Sequence, residues 1–184
     1  MAIIRNVVAT AELGCLINLE KLEGECPMAY YNKKSFSGLL IRRLQPFKSH
    51  CKVFYNGKIV VNGGTSEEES LKLAQTYCRV LQNHGYETAE LKNFQIVNIV
   101  ASANFDHRLR LSDAYIKLKE HLTPDAAIKF IEWVQYEPEL FCAVSVRMRL
   151  ATCVIFPSGK FNILGAKTKD EVDQTELDLR IILM

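Results

Sequence analysis

One stretch of the chain occurs twice. Residues 53–63 read VFYNGKIVVNG, and residues 155–165 read IFPSGKFNILG. Each copy is an apolar strand ending in Phe, a tight turn at Asn-Gly or Ser-Gly, a Lys, and a second apolar strand, which is the pattern of a β-hairpin. A hairpin used twice indicates a duplicated domain.

Other segments repeat in the same order. Residues 6–11 match residues 98–103, and residues 36–42 match residues 141–147. The spacing between the copies increases ahead of Phe141, so the second half contains an insertion. We therefore predict two repeats, and their bounds are 1–92 and 93–184, with a helical insertion near 111–134.

Composition restricts the class of protein without identifying it. An apolar content of 48% in 184 residues is enough for a buried core. A net charge of +2 is compatible with a nucleic-acid partner but does not indicate one. The six cysteines form no C-x-x-C pair and have no histidine cluster beside them, which favours reduced thiols over a metal site. Since no stretch approaches the ~20 apolar residues of a membrane span, we expect a soluble intracellular protein.

In the first half, the sequence predicts strands before and after a short helix, followed by a long helix. Strands are expected at residues 3–11, 29–32 and 35–44, and Asn18 is expected to cap the short helix. A capping box at residues 66–69 starts the long helix, which Gly85 ends. Its predicted apolar face consists of Leu71, Ala74, Tyr77, Cys78 and Leu81.

The second half predicts the same plan with one addition. Strands are expected at residues 96–103 and 141–149, and a capping box at residues 168–171 starts the last helix. In the insertion, Thr123 followed by Pro124 is typical of a helix start. The apolar stripe predicted for this added helix consists of Ala127, Phe130, Ile131 and Val134.

Short motifs carry a resemblance to a known family. They are NVV at residues 6–8, LGC at 13–15, YNK at 31–33, the two F-x-x-G-K hairpins, and YEPELF at 136–141. In this order the chain resembles the TATA-box-binding protein family over nearly its whole length. The resemblance implies an α+β saddle of two pseudo-symmetric repeats, each a curved antiparallel sheet with helices on its convex face. The concave face of such a saddle lies on the DNA minor groove.

Minor-groove wedging by apolar side chains is a described property of this family. The positions that correspond to its wedges are Phe36, Phe54, Phe141 and Phe156. A phenylalanine in a strand is ordinarily a core residue. Recurrence in both repeats, beside turns and polar stretches, favours a role at the surface.

The resemblance also implies the remaining DNA contacts. Asn6 and Asn98 would donate to minor-groove acceptors, although an asparagine satisfied within the core is the alternative interpretation. Cations that recur in both repeats would contact phosphates. Apolar side chains would form the surface between them. The cations are Arg42, Lys58, Arg147 and Lys160, and the apolar residues are Val8, Val60, Val100 and Val154.

The chain departs from the family at four positions of the same surface. Asn62 and Leu164 stand where the family has threonines, and Lys52 and Asn162 stand where it has apolar residues. These four are still predicted to contact DNA, with an altered preference for the TATA element.

Protein partners follow from the resemblance as well. Tyr30, Tyr31 and Asn32 correspond to the edge strand to which transcription factor IIA adds. The corresponding docking site for transcription factor IIB consists of Glu137, Glu139 and Leu140. We expect a nuclear protein that acts as a monomer on DNA, recruits the RNA polymerase machinery, and uses no cofactor or metal.

Three functions are compatible with these patterns. The first is an initiation factor that binds and kinks A·T-rich promoter DNA. The second is a divergent relative with weak or altered TATA recognition, acting mainly as a protein scaffold at other promoters. The third, an enzyme, is disfavoured because the four histidines have no repeated carboxylate or thiol companion at the spacing of a metal site or a catalytic triad, and no glycine-rich phosphate loop is present.

Overall fold

The computed structural model describes residues 1–43, 48–122 and 130–184. Tertiary contacts divide the chain into a first unit, Asn6–Val97, and a second unit, Met1–Arg5 with Asn98–Met184. Each unit is an antiparallel sheet with helices packed against it, so the predicted α+β class is confirmed.

The elements of the described residues follow each other in the same pattern in both units. In the first unit the strand order is β2-β3-β4-β5-β1, and in the second unit it is β6-β10-β9-β8-β7. The bounds are β1 (Ile3–Glu12), α1 (Leu19–Glu25), β2 (Ala29–Tyr30), β3 (Leu39–Arg43), β4 (Ser49–Val53), β5 (Lys58–Gly64), α2 (Glu67–Gln82), β6 (Lys92–Asn104), α3 (Leu111–Glu120), β7 (Ile131–Gln135), β8 (Val144–Met148), β9 (Thr152–Ile155), β10 (Lys160–Ala166) and α4 (Lys169–Leu183).

The repeated hairpins are confirmed as β4-β5 and β9-β10. Their turns contain Gly57 and Gly159, with φ of +82° and +86°. A Cβ at these positions would overlap the carbonyl oxygens of Cys15 and His107, respectively. The turn glycine is therefore required by backbone conformation and by close packing.

Both predicted capping boxes are present, and in each the carboxylate reaches one residue further back than the N-cap. Ser66 Oγ accepts from the Glu69 N–H at 3.1 Å, and the Glu69 carboxylate accepts from the Thr65 N–H at 2.8 Å. In α4, Thr168 Oγ1 accepts from the Glu171 N–H at 3.1 Å. These bonds satisfy amides that a helix start leaves free.

The buried face of α2 is rotated slightly about the helix axis from the predicted apolar face. Leu73 is buried, whereas Leu71 is only half-buried. The other predicted positions, Ala74, Tyr77, Cys78 and Leu81, are buried against the sheet.

Two predicted strands begin later than expected. The Phe36 N–H donates to the Asn32 carbonyl at 3.0 Å and closes a turn over residues 32–36, residues 37–38 form a bend, and β3 starts at Leu39. In the second unit the Phe141 N–H donates to the Glu137 carbonyl at 2.9 Å, and β8 starts at Val144. Phe36 and Phe141 therefore lie in turns.

The helix predicted for the insertion is wrong where the structure describes it. Ile131 and Val134 lie in strand β7, which shifts register against β8 between Ile131 and Trp133. A register shift interrupts the two-residue alternation of a strand, so the apolar positions acquire a helix-like spacing of three. The described helix of this region is α3, and Phe130 lies in a bend before β7. Three further positions of the prediction, Thr123, Pro124 and Ala127, lie outside the described residues.

In the described ranges, no helix is both long and apolar enough to cross a membrane.

Candidate nucleic-acid interface

Alternation along the strands gives each unit a helix-covered face and an opposite face, which we call the open face. In β5, Ile59 and Val61 are buried, whereas Val60 and Asn62 are half-buried. In β10, Phe161 and Ile163 are buried, and the side chains between and after them lie on the open face. The open face is thus a continuous, partly exposed surface of each sheet.

Strand register gathers most of the predicted DNA-contacting residues on the open faces. Neighbours across strands have Cβ atoms roughly 5 Å apart, so each row is contiguous. The rows of the first unit are Leu40, Lys52, Val60, Thr10 and Arg42, His50, Asn62, Val8. The rows of the second unit are Ser145, Val154, Asn162, Ser102 and Arg147, Thr152, Leu164, Val100.

Several of these residues were missing from the sequence prediction. His50 and Thr152 occupy equivalent places in the two units, each beside a predicted residue on the next strand. The signal that reveals His50 is the alternation in β4, because it lies two residues before Lys52. Lys58 and Lys160 were predicted and are exposed at the starts of β5 and β10.

The four predicted wedge residues form two edge-to-face pairs outside the core. The Phe36 and Phe54 ring centroids are 5.8 Å apart, and those of Phe141 and Phe156 are 6.3 Å apart. Phe36 is 40% exposed and Phe141 is 49% exposed. Each pair combines a residue at the end of a turn with the residue that follows the first strand of a hairpin, so the rings stand at the margin of the open face.

The first pair has supporting contacts that are specific to the first unit. A Cβ on Gly38 would lie 2.7 Å from Cε1 of Phe36 and 3.1 Å from Cε1 of Phe54. The matching residue of the second unit is Ala143. In addition, Lys52 Nζ lies 5.5 Å from the centroid of the Phe36 ring, within range of a cation–π interaction.

Asn6 and Asn98 each satisfy the backbone of a β-bulge. Asn6 Oδ1 accepts from the Gly63 N–H at 3.1 Å, and Asn98 Oδ1 accepts from the Gly165 N–H at 2.8 Å. The register of β5 and β10 skips these two glycines, which have φ of +122° and +93°. Since a backbone N–H can only donate, it fixes the orientation of each side-chain amide. The Nδ2 amine of each asparagine is not used in this bond and remains available as a donor. Each asparagine can therefore support the bulge and also bind a ligand.

The cations differ between the units. The guanidinium of Arg147 is 3.5 Å from the Glu132 carboxylate and donates to Thr152 Oγ1 at 3.3 Å, whereas Arg42 is exposed. Burial, followed by the charges of Lys52 and Arg42, holds the pKa of His50 below its usual value. His50 is therefore a neutral imidazole at neutral pH.

The predicted protein-binding residues lie in two exposed places. Tyr30 is 62% exposed on β2, the edge strand of the first unit. The Tyr31 N–H donates to the Glu23 carboxylate at 2.8 Å, and Asn32 Oδ1 accepts from the Lys34 N–H at 3.1 Å. In the second unit a single turn contains Glu137, Glu139 and Leu140, all exposed.

Within the part of the chain that the structure describes, no group of three or more His, Cys, Asp or Glu side chains could hold a metal ion.

Comparison with known proteins supplies the remaining findings. The family model for transcription factor TFIID (or TATA-binding protein, TBP) matches residues 1–84 and 93–183. The chain is 34% identical over 184 residues to TATA-box-binding protein-like 1 of Entamoeba histolytica, covering 99% of this chain and 79% of that protein. It is 36% identical over 174 residues to the TATA-box-binding protein of Schizosaccharomyces pombe, covering 93% and 69%. Methanococcus jannaschii TBP shares the fold, with a TM-score of 0.74, 24% identity and coverage of 98% and 97%.

Proposed function

The chain belongs to the TATA-binding protein family of non-enzymatic, DNA-binding transcription initiation factors. We propose that it binds the minor groove of A·T-rich promoter DNA and kinks the duplex. The observation that carries the proposal is the pair of phenylalanine rings outside the core at the margin of each open face, in which exposed Phe36 contacts half-buried Phe54 and exposed Phe141 contacts half-buried Phe156. Apolar wedges unstack a base step at a cost of a few kcal/mol, which the larger contact with bent DNA offsets.

The other residues of the open face supply position and partial sequence reading. The Nδ2 amines of Asn6 and Asn98 donate to the N3 and O2 acceptors that every A·T pair presents. Lys58 and Lys160 contact phosphates and make the affinity dependent on salt. Valines between them contact the sugars.

We propose further that the protein acts in the nucleus, as a monomer on DNA, with initiation factors and the RNA polymerase machinery as partners. An edge strand offers unpaired backbone groups to which another sheet can add, so β2 is the proposed site for a transcription factor IIA-like protein. For a transcription factor IIB-like protein the proposed site is the exposed turn with Glu137, Glu139 and Leu140.

A second candidate function has its own supporting observation. Lys52 and Asn162 place polar groups within the open faces, at half-buried positions. Such groups reduce apolar contact with the groove, which favours a factor with weak TATA recognition that serves mainly as a protein scaffold.

Bending and binding of A·T-rich duplexes over a salt series test the proposal. We expect Phe54→Ala and Phe156→Ala to reduce the DNA bend angle strongly while retaining the salt-dependent attraction. Tyr55→Ala is the matched control, because Tyr55 is 68% exposed in the same turn and outside the ring pair. Unchanged bending in both phenylalanine variants would reject the wedge. Capture of transcription factor IIB without DNA binding would favour the scaffold.

A further inference from the structure

Matching rows of the two open faces differ in hydrogen-bonding capacity. In the first unit, His50 and Asn62 are direct cross-strand partners, and Asn62 also faces Val8. In the second unit the equivalent pair is Thr152 with Leu164. The first unit therefore carries two adjacent polar side chains where the second carries a hydroxyl beside an apolar side chain.

This difference concerns the one group that distinguishes base pairs in the minor groove. A·T and T·A pairs present only acceptors there, whereas a G·C pair adds the N2 amine of guanine, which is a donor. Leu164 and Val100 offer this amine no acceptor. The hydroxyl of Thr152 beside them already accepts from the Arg147 guanidinium at 3.3 Å, so loss of the amine's water would be unfavourable. Asn62 Oδ1 and an unprotonated ring nitrogen of His50 are acceptors.

The Asn62 amide is able to present its oxygen. Asn6 and Asn98 have their oxygens held by glycine N–H groups. Among the hydrogen bonds of the described residues, none fixes the Asn62 side chain in this way. His50 has a pKa below its usual value because of burial and the neighbouring Lys52 and Arg42, so its neutral ring keeps an acceptor nitrogen at neutral pH.

We propose that the first unit accepts a G·C base pair in its half of the DNA site through Asn62 and His50, whereas the second unit requires A·T. This inference rests on the proposed function and adds a sequence preference to it. A tract with one G·C pair is then bound in a single orientation, with the G·C pair against the first unit.

The test compares duplexes that differ only in the guanine amine. An all-A·T tract, a tract with one G·C pair in one half, and a tract with one G·C pair in each half are each measured, and inosine replaces guanine in matched copies. Inosine lacks the N2 amine and is the internal reference. We expect the protein to bind the duplex with one G·C pair as tightly as the duplex with one I·C pair. It should bind the duplex with a G·C pair in each half about tenfold or more weakly than the matched I·C duplex.

Exchange of residues between the units shows whether these side chains are responsible. In H50T/N62L, which gives the first unit the second unit's residues, one G·C pair should become about tenfold weaker than one I·C pair. In T152H/L164N the penalty for G·C in each half should disappear. The single variants H50T and N62L provide the same ratio if a double variant does not fold, and Glu68→Gln on the exposed side of α2 should leave every ratio unchanged.

The outcomes separate the two levels of the argument. If the unmodified protein does not bind the all-A·T duplex, the proposed function is overturned, and this inference with it. Tight binding to A·T together with a penalty for a single G·C pair would overturn the inference alone. A tolerance for G·C that survives both H50T and N62L would also overturn it.

Discussion

The two units share the same turns, β-bulges and helix N-caps, but differ in some of the side chains packed between sheet and helix. Turn glycines, bulge glycines and helix N-caps recur, whereas several side chains packed under the long helices differ. Eight and twelve residues after its N-cap, α2 has Ala74 and Cys78, and α4 has Glu176 and Arg180. The difference teaches that this fold is specified by turns, caps and alternation, and that a buried position tolerates an ion pair in place of small apolar groups.

The ion pair of the second unit is well satisfied. Glu176 is 6% exposed, and its Oε1 accepts from Arg180 Nη2 at 2.8 Å and Nε at 3.0 Å. Arg180 Nη2 also donates to the Asn104 carbonyl at 2.8 Å, and the guanidinium lies 5.3 Å from the centroid of the Phe105 ring. Glu176 also accepts from the Ala2 N–H and lies 3.2 Å from the Met1 amino group, so removing Arg180 would leave this buried carboxylate with weaker compensation.

The largest expected effect comes from breaking this pair. Arg180→Ala should lower the free energy of unfolding by about 1.5–3 kcal/mol, because the buried Glu176 carboxylate loses its two charge-assisted hydrogen bonds from the guanidinium and keeps only those from the Met1 amino group and the Ala2 N–H. E176A/R180C reproduces Ala74 and Cys78 of the first unit and should recover much of the loss. Urea unfolding at neutral pH measures both, with Lys169→Ala in the exposed Lys169–Asp173 pair as a control that should change little. A double variant no more stable than Arg180→Ala would contradict this account.

A pH series sharpens the same comparison. Burial opposes ionisation of Glu176, but hydrogen bonds from Arg180, the chain's amino group and the Ala2 N–H outweigh it and hold the pKa of Glu176 below its usual value. The native state then binds fewer protons than the unfolded state, so this stabilisation is complete above about pH 4.3 and is lost as pH falls through the lowered pKa. We expect the stability gap between the unmodified protein and Glu176→Gln to shrink in acid. A gap that is independent of pH would argue against an ionised Glu176.

Much of this fold could be predicted because its signals are local. The repeated hairpins follow from Gly57 and Gly159, and the long helices from Ser66 and Thr168, since each signal acts within a few residues. The placement of β7 could not be predicted in this way. Its register shift depends on how it pairs with β8, the next strand, and the residues of β7 alone do not reveal that pairing.

The candidate site was predictable to a similar extent. The family resemblance identifies most residues of the open faces, and alternation in β4 adds His50, but the pairing of His50 with Asn62 follows only from the strand register. The bond from Gly63 to Asn6 depends on a bulge between β1 and β5, and no local pattern reveals it. Glu176 and Arg180 resemble an exposed helical pair in sequence, and only tertiary packing shows that Glu176 is buried.

Phenylalanine packing offers a smaller test of the difference between the units. In Gly38→Ala the new methyl group would displace the rings of Phe36 and Phe54, as its Cβ would lie 2.7 Å from the nearer ring. Phe36 is 40% exposed and can move, so we expect a stability loss of only about 1 kcal/mol. The bend angle should fall more clearly. Ala143→Gly, the reciprocal change, should leave bending intact, and equal effects of both changes would show that Gly38 has no special role.

The smallest expected effect concerns the cation that only the first open face carries. Lys52 lies over Phe36, and its counterpart in the second unit is Val154. Lys52→Val should weaken DNA binding a few-fold and reduce the slope of log K against log salt by about 1, because one cation fewer displaces counterions. Val154→Lys should increase the slope by a similar amount, and K52V/V154K should restore it. If the exchange restores the slope but changes the bend angle, Lys52 also positions the Phe36 ring. An unchanged slope in both single variants would mean that neither position faces the phosphate backbone.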